Sequence, residues 1–148
     1  MKNILVTGGC GFIASNFINH FLKKYQNYVL VNLDAMYYCA REDNILEEIR
    51  NSNNYNFVKG SVCNKEILDL IFKTWKIETV VHFAAQSHVD NSFSNPLQYT
   101  EDNIKGTHTL LECIREYGKI EKFIHVSTDE VYGESCADIK NEKSILNP

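Results

Sequence analysis

Length, composition and charge already exclude several classes of protein. The chain has 148 residues, 44% hydrophobic and 23% charged, which suits the core of one ordinary domain. Its formal net charge of −4, with no cluster of Lys and Arg, argues against nucleic-acid binding. No apolar run approaches the roughly 18 residues that span a bilayer, and the N-terminus lacks a signal-peptide pattern. We therefore expect a soluble, cytoplasmic protein with no membrane partner.

The spacing of cysteine and histidine does not indicate a metal site. The five cysteines are scattered and form no C-x-x-C pair, so we expect reduced thiols, mostly in or near the core. His82 and His88 have a spacing that suits no helical ligand pair, and the simpler interpretation is a strand histidine and a loop histidine. We predict no metal.

Short β-branched runs alternate with segments of helical period along the chain. The predicted strands cover residues 3–7, 28–34, 55–60, 79–85 and 122–128. The predicted helices cover residues 12–25, 44–50, 65–75 and 97–118. The apolar residues at helical spacing in the first helix are Phe12, Ile13, Phe17, Phe21 and Leu22. Those predicted on one face of the third helix are Ile67, Leu68, Ile71 and Phe72.

This order of elements predicts an α/β fold, a doubly wound parallel sheet with helices on both faces, formed by residues 1–148 as one domain. Ligands of such sheets lie beyond the carboxyl ends of the strands. The unusual residues of this sequence occur at those ends. They are "TGGCG", Asp34, "GS", "AAQSHVD" and "STDEVYG", after the first to the fifth strand in turn.

The segment "TGGCGFIA" follows the first predicted strand and begins the first helix, with Gly8, Gly11 and Ala14 at G-x-x-G-x-x-G/A spacing. Glycine lets backbone N–H groups approach a pyrophosphate at the positive end of the helix dipole. Asp34 ends the second strand 20 residues after Ala14, where a carboxylate can bind both ribose hydroxyls of an adenosine. Asp34 would repel a 2′-phosphate, and Arg41 lies seven residues further on, so the pattern predicts NAD rather than NADP.

With these residues in place, the sequence resembles the extended short-chain dehydrogenase/reductases, and among them the nucleotide-sugar 4,6-dehydratases of the dTDP-glucose type. The segments that carry the resemblance are "ILVTGGCGFIASNF", "VNLDAMYYCA", "VVHFAAQSHVDNSF", "DNIKGTHTLLE" and "FIHVSTDEVYG". The resemblance implies a Rossmann-type dinucleotide-binding topology. It also implies an NAD-dependent lyase that converts dTDP- or UDP-glucose to the 4-keto-6-deoxy sugar.

The resemblance gives roles to the residues of "STDE". In the family, NAD oxidises sugar carbon 4, a base removes the proton from carbon 5, an acid protonates the hydroxyl leaving carbon 6, and hydride returns to carbon 6. By resemblance Glu130 is the base, Asp129 is the acid, and Thr128 binds the oxygen on carbon 4. Epimerases and decarboxylases of the superfamily typically carry a small or hydroxyl residue where this chain has Asp129. Without the resemblance, "TDE" equally fits a solvated turn at a strand end.

The resemblance also implies the residues that line the two pockets. Those expected to bind the cofactor are Gly8, Gly11, Phe12, Ile13, Asp34, Ala35, Ser61, Val62, Phe83, Ala84, Ala85, Ser87, Asp102 and Ser127. Those expected to bind the sugar nucleotide are Ser87, Val89, Asn103 and Thr128.

Three residues depart from the family pattern. Ser61 stands where the family usually has an acid that binds the adenine amino group, and a serine accepts that hydrogen bond less strongly. Asp102 stands where the family commonly places Thr, close to the nicotinamide side. Ala14 replaces a glycine. We expect each to weaken NAD binding modestly.

The larger departure is length. The family uses a Tyr-x-x-x-Lys pair and a C-terminal domain that binds the nucleotide, and the chain stops before either; the residue four after Tyr132 is Cys136. We therefore interpret the chain as an incomplete NAD-binding domain, the N-terminal portion of a longer enzyme whose substrate domain is missing, and expect no turnover by it alone. The alternatives are a nucleotide-sugar 4-epimerase or decarboxylase, or a non-catalytic NAD-binding sensor.

The partners implied are a nucleotide-sugar substrate and, for the full-length protein, a second copy of itself. By resemblance the predicted helix at 97–118 packs across a dimer axis. Its apolar residues Leu110, Leu111 and Ile114 fit that role, and they equally fit packing on the sheet.

Overall fold

The computed structural model describes residues 2–133 and 139–148, and their centre is a five-stranded parallel sheet. The strands lie in the order β3-β2-β1-β4-β5. Their bounds are β1 Lys2–Thr7, β2 Tyr28–Asp34, β3 Tyr55–Lys59, β4 Thr79–His82 and β5 Lys122–His125. The chain reverses its winding direction between β1 and β4, which is where doubly wound folds bind dinucleotides. The predicted α/β fold is confirmed.

The helices cover both faces of the sheet. They are α1 Phe12–Lys24, α2 Glu47–Arg50, α3 Lys65–Trp75, α4 Val89–Ser94, α5 Pro96–Tyr99 and α6 Gly106–Tyr117. A π-helical turn at Thr100–Lys105 joins α5 to α6, and 3₁₀ turns lie at Glu42–Asn44 and Asp129–Tyr132. Among the helices of the described residues, none combines the length and the apolar composition that a membrane span needs.

Two hydrophobic cores result, one on each face of the sheet, because strands buried on both sides alternate their side chains between the faces. Leu5 of β1 packs in the core that α3 and α6 cover. Ile4 and Val6 of the same strand pack in the core that α1 and α2 cover. The sheet is therefore buried on both faces, and its carboxyl edge is left for ligands.

Helix α3 shows how local signals and packing agree. Asn64 caps its N-terminus by accepting a 3.2 Å hydrogen bond from the Ile67 amide, and the helix ends at Lys76 in the left-handed region. Leu68, Ile71 and Phe72 are fully buried, and Ile67 packs beside them. The predicted apolar face of this helix is confirmed.

The predicted face of α1 was wrong at its N-terminal end. Phe12 and Ile13 are 82% and 66% exposed, and the buried face consists of Ala14, Ser15, Ile18 and Leu22. Phe12 and Ile13 lie in the first turn of α1, at the carboxyl edge of the sheet. The strands do not extend far enough to cover their side chains. The small Ala14 and Ser15 let the helix approach the sheet closely.

Three further predictions needed correction. The helix predicted at 97–118 is divided by the π-helical turn, whose wider backbone lets Asp102 and Asn103 both bind neighbouring loops. The helix predicted at 44–50 is a 3₁₀ turn followed by the single turn of α2. The fourth and fifth strands end three residues early, at His82 and His125, because the following residues leave the ladder to form loops.

The cysteines agree only in part with the expectation of buried thiols. Cys10 and Cys113 are buried, Cys63 is half-buried and Cys39 is exposed, and all four are free. Cys136 lies outside the described residues.

Candidate functional site

The loop after β1 lies against the loop after β4 at the centre of the carboxyl edge. Gly8 has φ +71°, and its amide donates a 2.8 Å hydrogen bond to the Leu33 carbonyl. A Cβ at Gly8 would lie 2.7 Å from the Ala84 Cα and 2.8 Å from its nitrogen. Glycine is therefore required at this position by both backbone angle and space. The contact closes the floor of the cleft where the strand order reverses.

The N-terminus of α1 is available to an anion. Gly11 is its N-cap residue, so no side chain caps the helix, and the first turn carries no acidic residue. The side chains of Phe12 and Ile13 point away from the core and leave this end of the thirteen-residue helix uncovered. Exposed amide groups at the positive end of a helix dipole suit a phosphate group.

Asp34 ties two loops together beneath this helix. It is 6% exposed, and one carboxylate oxygen accepts a 2.8 Å hydrogen bond from the Cys10 amide. The other oxygen accepts a 2.7 Å hydrogen bond from the amide of Met36, which has φ +60°. Each oxygen keeps a further lone pair that a ribose hydroxyl can use. Asp34 thus fixes the loops and stays the predicted ribose ligand.

A buried polar cluster under the glycine loop was not foreseen from the sequence. Asn32 donates to the Tyr55 hydroxyl at 2.9 Å and to the Cys10 sulfur at 3.4 Å. Burial raises the pKa of Cys10 to about 11 and that of Tyr55 to about 12, so both stay protonated near neutrality. A protonated, buried thiol is a poor nucleophile. Cys10 therefore serves packing here.

Tyr55 and Lys59 have Tyr-x-x-x-Lys spacing, but their setting does not suit a catalytic pair. Both lie on strand β3, where Tyr55 is 8% exposed and bound to Asn32, whereas Lys59 is exposed. A tyrosine held in the core with a raised pKa does not form the reactive tyrosinate that the family uses.

Asn103 holds the loop after β4 in place. Its side-chain oxygen accepts a 2.7 Å hydrogen bond from the Gln86 amide, and its side-chain nitrogen donates a 2.9 Å bond to the Gln86 carbonyl. Asp102, next to it, is 7% exposed and binds side chains of three other residues. Their predicted contacts with substrate and cofactor stay predictions, since the structure shows them binding the protein itself.

The other predicted pocket residues surround the same edge at different depths. Val62 is buried in the core, and the Ser61 hydroxyl accepts a 3.1 Å hydrogen bond from the Cys63 amide. Phe83 is half-buried and packs on Phe17, with ring centroids 5.4 Å apart. The half-buried members are Ala35 and Ala84, and the exposed members are Ala85, Ser87, Val89 and Ser127.

His82 is the last residue of β4, as the interpretation of a strand histidine predicted, and the structure adds that it is buried and bound to hydroxyl groups. Its Nδ1 lies 2.6 Å from the Thr7 hydroxyl and its Nε2 lies 3.0 Å from the Thr107 hydroxyl. It stacks on His125 of β5 at 5.3 Å. Burial, with a smaller contribution from His125, lowers the pKa of His82 to about 4. The ring is therefore neutral at physiological pH. Among the described residues, no three His, Cys, Asp or Glu side chains form a metal-binding group.

The residues of "STDE" follow β5, the neighbour of β4. Asp129 and Glu130 begin a 3₁₀ turn whose N-cap is Thr128. The Thr128 hydroxyl donates to an Asp129 carboxylate oxygen at 3.3 Å and accepts from the Glu130 amide at 3.3 Å. All three residues are exposed. The turn therefore presents two adjacent carboxylates and one hydroxyl to the space beyond the sheet.

Comparison with known proteins identifies relatives of this chain. The dTDP-D-glucose 4,6-dehydratase of Homo sapiens is 48% identical over 147 residues, which are 99% of this chain and 41% of that protein. A trifunctional enzyme of Arabidopsis thaliana, named for UDP-glucose 4,6-dehydratase and two further activities, is 48% identical over 150 residues, 99% of this chain and 22% of its own.

A solved structure agrees in fold. The dTDP-glucose 4,6-dehydratase of Bacillus anthracis, in complex with NAD, superposes with a TM-score of 0.87 at 38% identity, covering 100% of this chain and 44% of that one. The chain thus spans less than half the length of these relatives. The family model described as GDP-mannose 4,6 dehydratase matches residues 5–148. On this match and these identities, the chain belongs to the GDP-mannose 4,6-dehydratase family.

Proposed function

We propose that residues 1–148 are the incomplete NAD-binding domain, the N-terminal portion, of a nucleotide-sugar 4,6-dehydratase. The observation that carries the proposal is the arrangement at the carboxyl edge of the sheet. There the glycine loop, held by Asp34, lies at the point where the strand order reverses, and the Thr128–Asp129–Glu130 turn follows an outer strand of the same sheet. The relatives named above are 4,6-dehydratases.

The residues present fit NAD. The uncapped N-terminus of α1 would hold the pyrophosphate, and Asp34 would accept hydrogen bonds from the adenosine ribose. When bound, NAD would supply a hydride acceptor for carbon 4 of the sugar and later a hydride donor for carbon 6. A 2′-phosphate would face the Asp34 carboxylate, so we expect NAD to be preferred over NADP.

The chain's own acid–base residues then divide the elimination of water between them. The Glu130 carboxylate takes the proton from carbon 5, which is acidified by the ketone at carbon 4. Asp129 gives a proton to the hydroxyl on carbon 6, and that hydroxyl leaves as water. The single O–H of Thr128, which donates to Asp129 in the ligand-free chain, turns to donate a hydrogen bond to the oxygen on carbon 4 when the sugar is bound. The 3.3 Å hydrogen bond from Thr128 to Asp129 supports their action at one sugar ring.

The substrate is a nucleotide-glucose carrying dTDP or UDP, and the full-length enzyme is a homodimer in this proposal. Leu110 is fully buried against the sheet, whereas Leu111 is 42% exposed on α6. That division leaves an apolar part of the helix surface for the second copy.

The experiment compares products of the full-length protein and its variants with dTDP-glucose and UDP-glucose. The wild type should form a 4-keto-6-deoxy sugar from one of them. Glu130→Gln should slow loss of the carbon-5 proton by roughly 10²–10⁴-fold and let NADH accumulate, as expected when a general base is removed. Asp129→Asn should slow elimination while carbon-5 exchange with solvent persists. An epimerised product, or wild-type rates in both variants, would refute the proposal.

A further inference from the structure

The π-helical turn Thr100–Lys105 contacts loops that follow different strands. The Glu101 carbonyl accepts a 3.4 Å hydrogen bond from the Cys63 thiol, in the segment after β3. Asn103 binds the backbone of Gln86, in the segment after β4. Wide helical turns of this kind frequently occur at functional sites. The turn is therefore placed to set the relative positions of the loops around the proposed cofactor site.

Asp102, also in this turn, binds the loop after β2 and the loop after β4 with its side chain. One carboxylate oxygen accepts a 3.2 Å hydrogen bond from the hydroxyl of Tyr37, in the loop after β2. The other accepts 3.0 Å bonds from the side-chain amides of Gln86 and Gln98. Burial and the nearby Asp102 raise the pKa of Tyr37, which keeps its phenol protonated as a donor. All three partners are donors, and an ionised carboxylate only accepts.

The loops after β2 and β4 lie on either side of the point where the strand order reverses, in the two halves that together bind a dinucleotide. We propose that Asp102 is a positioning residue that joins the adenosine side, through Tyr37 of the first loop, to the nicotinamide side, through Gln86 of the second. The inference rests on the proposed NAD site. Asp102 holds the two loops relative to one another, because each of its carboxylate oxygens accepts hydrogen bonds from protein side chains. No other common side chain of this size accepts from three donors: Asn presents an NH₂ group to one of them, and Thr has a single oxygen.

This role reverses the effect expected from the family pattern. If Asp102 only replaced a threonine that binds the cofactor, Asp102→Thr would tighten NAD binding. If it positions the two loops, the same change removes the shared acceptor of the half-buried Gln86 and the exposed Tyr37 and Gln98. The loops are then held less firmly, and NAD binding weakens by about tenfold for loss of one to two such bonds. The matched control is Glu121→Thr, which removes one charge from an exposed residue just before β5, at the opposite edge of the sheet. It should leave NAD affinity unchanged.

ADP-ribose separates positioning from general loosening of the fold. ADP-ribose lacks the nicotinamide and so does not bridge the two loops. We expect the factor by which Asp102→Thr weakens ADP-ribose binding to be at least threefold smaller than the factor for NAD, because only NAD depends on the preorganised separation of both loops. Equal weakening of both ligands, or tighter NAD binding, would overturn the proposal.

Tyr37→Phe removes a single hydroxyl and tests the same link in a folded protein. It should weaken NAD binding about threefold in the wild type and not at all in Asp102→Thr; additive effects would contradict the link.

Hydrogen exchange of the ligand-free chain tests the positioning independently of NAD. Backbone amides of residues 35–38 and 83–88 should exchange faster in Asp102→Thr than in the wild type and in Glu121→Thr, because both loops lose an anchor. Unchanged exchange in both segments would refute the positioning role. If the wild type bound no NAD at all, the proposed function would fail, and the exchange result would still decide the role of Asp102 in holding the loops.

Discussion

Buried His82 predicts a specific loss of stability in mild acid. The imidazole is 1% exposed between the hydroxyls of Thr7 and Thr107, and its pKa is lowered from 6.5 to about 4 by burial and by His125. Between these two values the unfolded chain binds a proton at this site and the folded chain does not. The free energy of unfolding therefore falls as the pH drops from 6.5 towards 4.

The size of this loss follows from the two pKa values. Proton linkage at His82 leaves the free energy of unfolding almost unchanged at pH 7.5. It lowers that free energy by about 1.5 kcal/mol at pH 5.5 and by about 2.5 kcal/mol at pH 4.5. The loss levels off below pH 4, where the folded form also binds the proton. A domain of this size has an unfolding free energy of roughly 5–15 kcal/mol, so the effect is well within measurement.

Urea unfolding at pH 7.5, 6.5, 5.5 and 4.5 measures the effect when the wild type is compared with His82→Gln. The variant starts from lower stability, but it lacks the titrating ring, so its stability should fall less steeply across this range. His20→Gln, at an exposed position of α1, is the control and should retain the wild-type slope. Carboxylates contribute to all three proteins alike. Equal slopes in the wild type and His82→Gln would refute the assignment of a depressed pKa to His82.

Three further predictions concern the glycine loop, the ribose ligand and the core. Gly8→Ala should lower the unfolding free energy by at least about 2 kcal/mol in thermal or urea unfolding, since a left-handed alanine costs about 1–2 kcal/mol and its Cβ would meet the Ala84 backbone at 2.7 Å. Titration calorimetry should show tighter binding of NAD than of NADP, and Asp34→Ala should narrow that difference; equal affinities in the wild type would contradict the role of Asp34. In α3, Leu68→Ala should cost about 2–5 kcal/mol, whereas Leu70→Ala, at a side chain 63% exposed, should stay within about 0.5 kcal/mol.

The fold was predictable because its signals are local. The strands at 28–34 and 55–60 and the helix at 65–75 agree with the structure to within one residue, since β-branched runs and the 3.6-residue period are properties of the segments themselves. The helical period alone could not predict that Phe12 and Ile13 are exposed. Their exposure depends on where the sheet ends, which is a property of the assembled fold.

The sequence predicted which residues form the candidate site better than it predicted the contacts that these residues make. The glycine spacing and the distance to Asp34 located the loop after β1, because that geometry needs particular residue types. The roles of Asp102 and Asn103 depend on a π-helical turn that the continuous apolar pattern of 97–118 did not indicate. Tyr37, Gln86 and Gln98 carried no sequence signal, since a polar residue in a loop or short helix is unremarkable until its partner is placed.

In this chain the NAD-binding half of the proposed site is more firmly built than the acid–base half. The glycine loop and Asp34 are held by buried hydrogen bonds and close backbone contacts, so NAD binding by the 148 residues is expected. Asp129 and Glu130 are exposed to water on a short 3₁₀ turn, whereas acid and base catalysis at a sugar ring needs a site that excludes water. The relatives are more than twice as long as this chain. We therefore expect the chain to bind NAD and to form no 4-keto-6-deoxy sugar, measured with each nucleotide-glucose over long incubation. Turnover by residues 1–148 alone would show that the exposed pair suffices and that the added length serves another purpose.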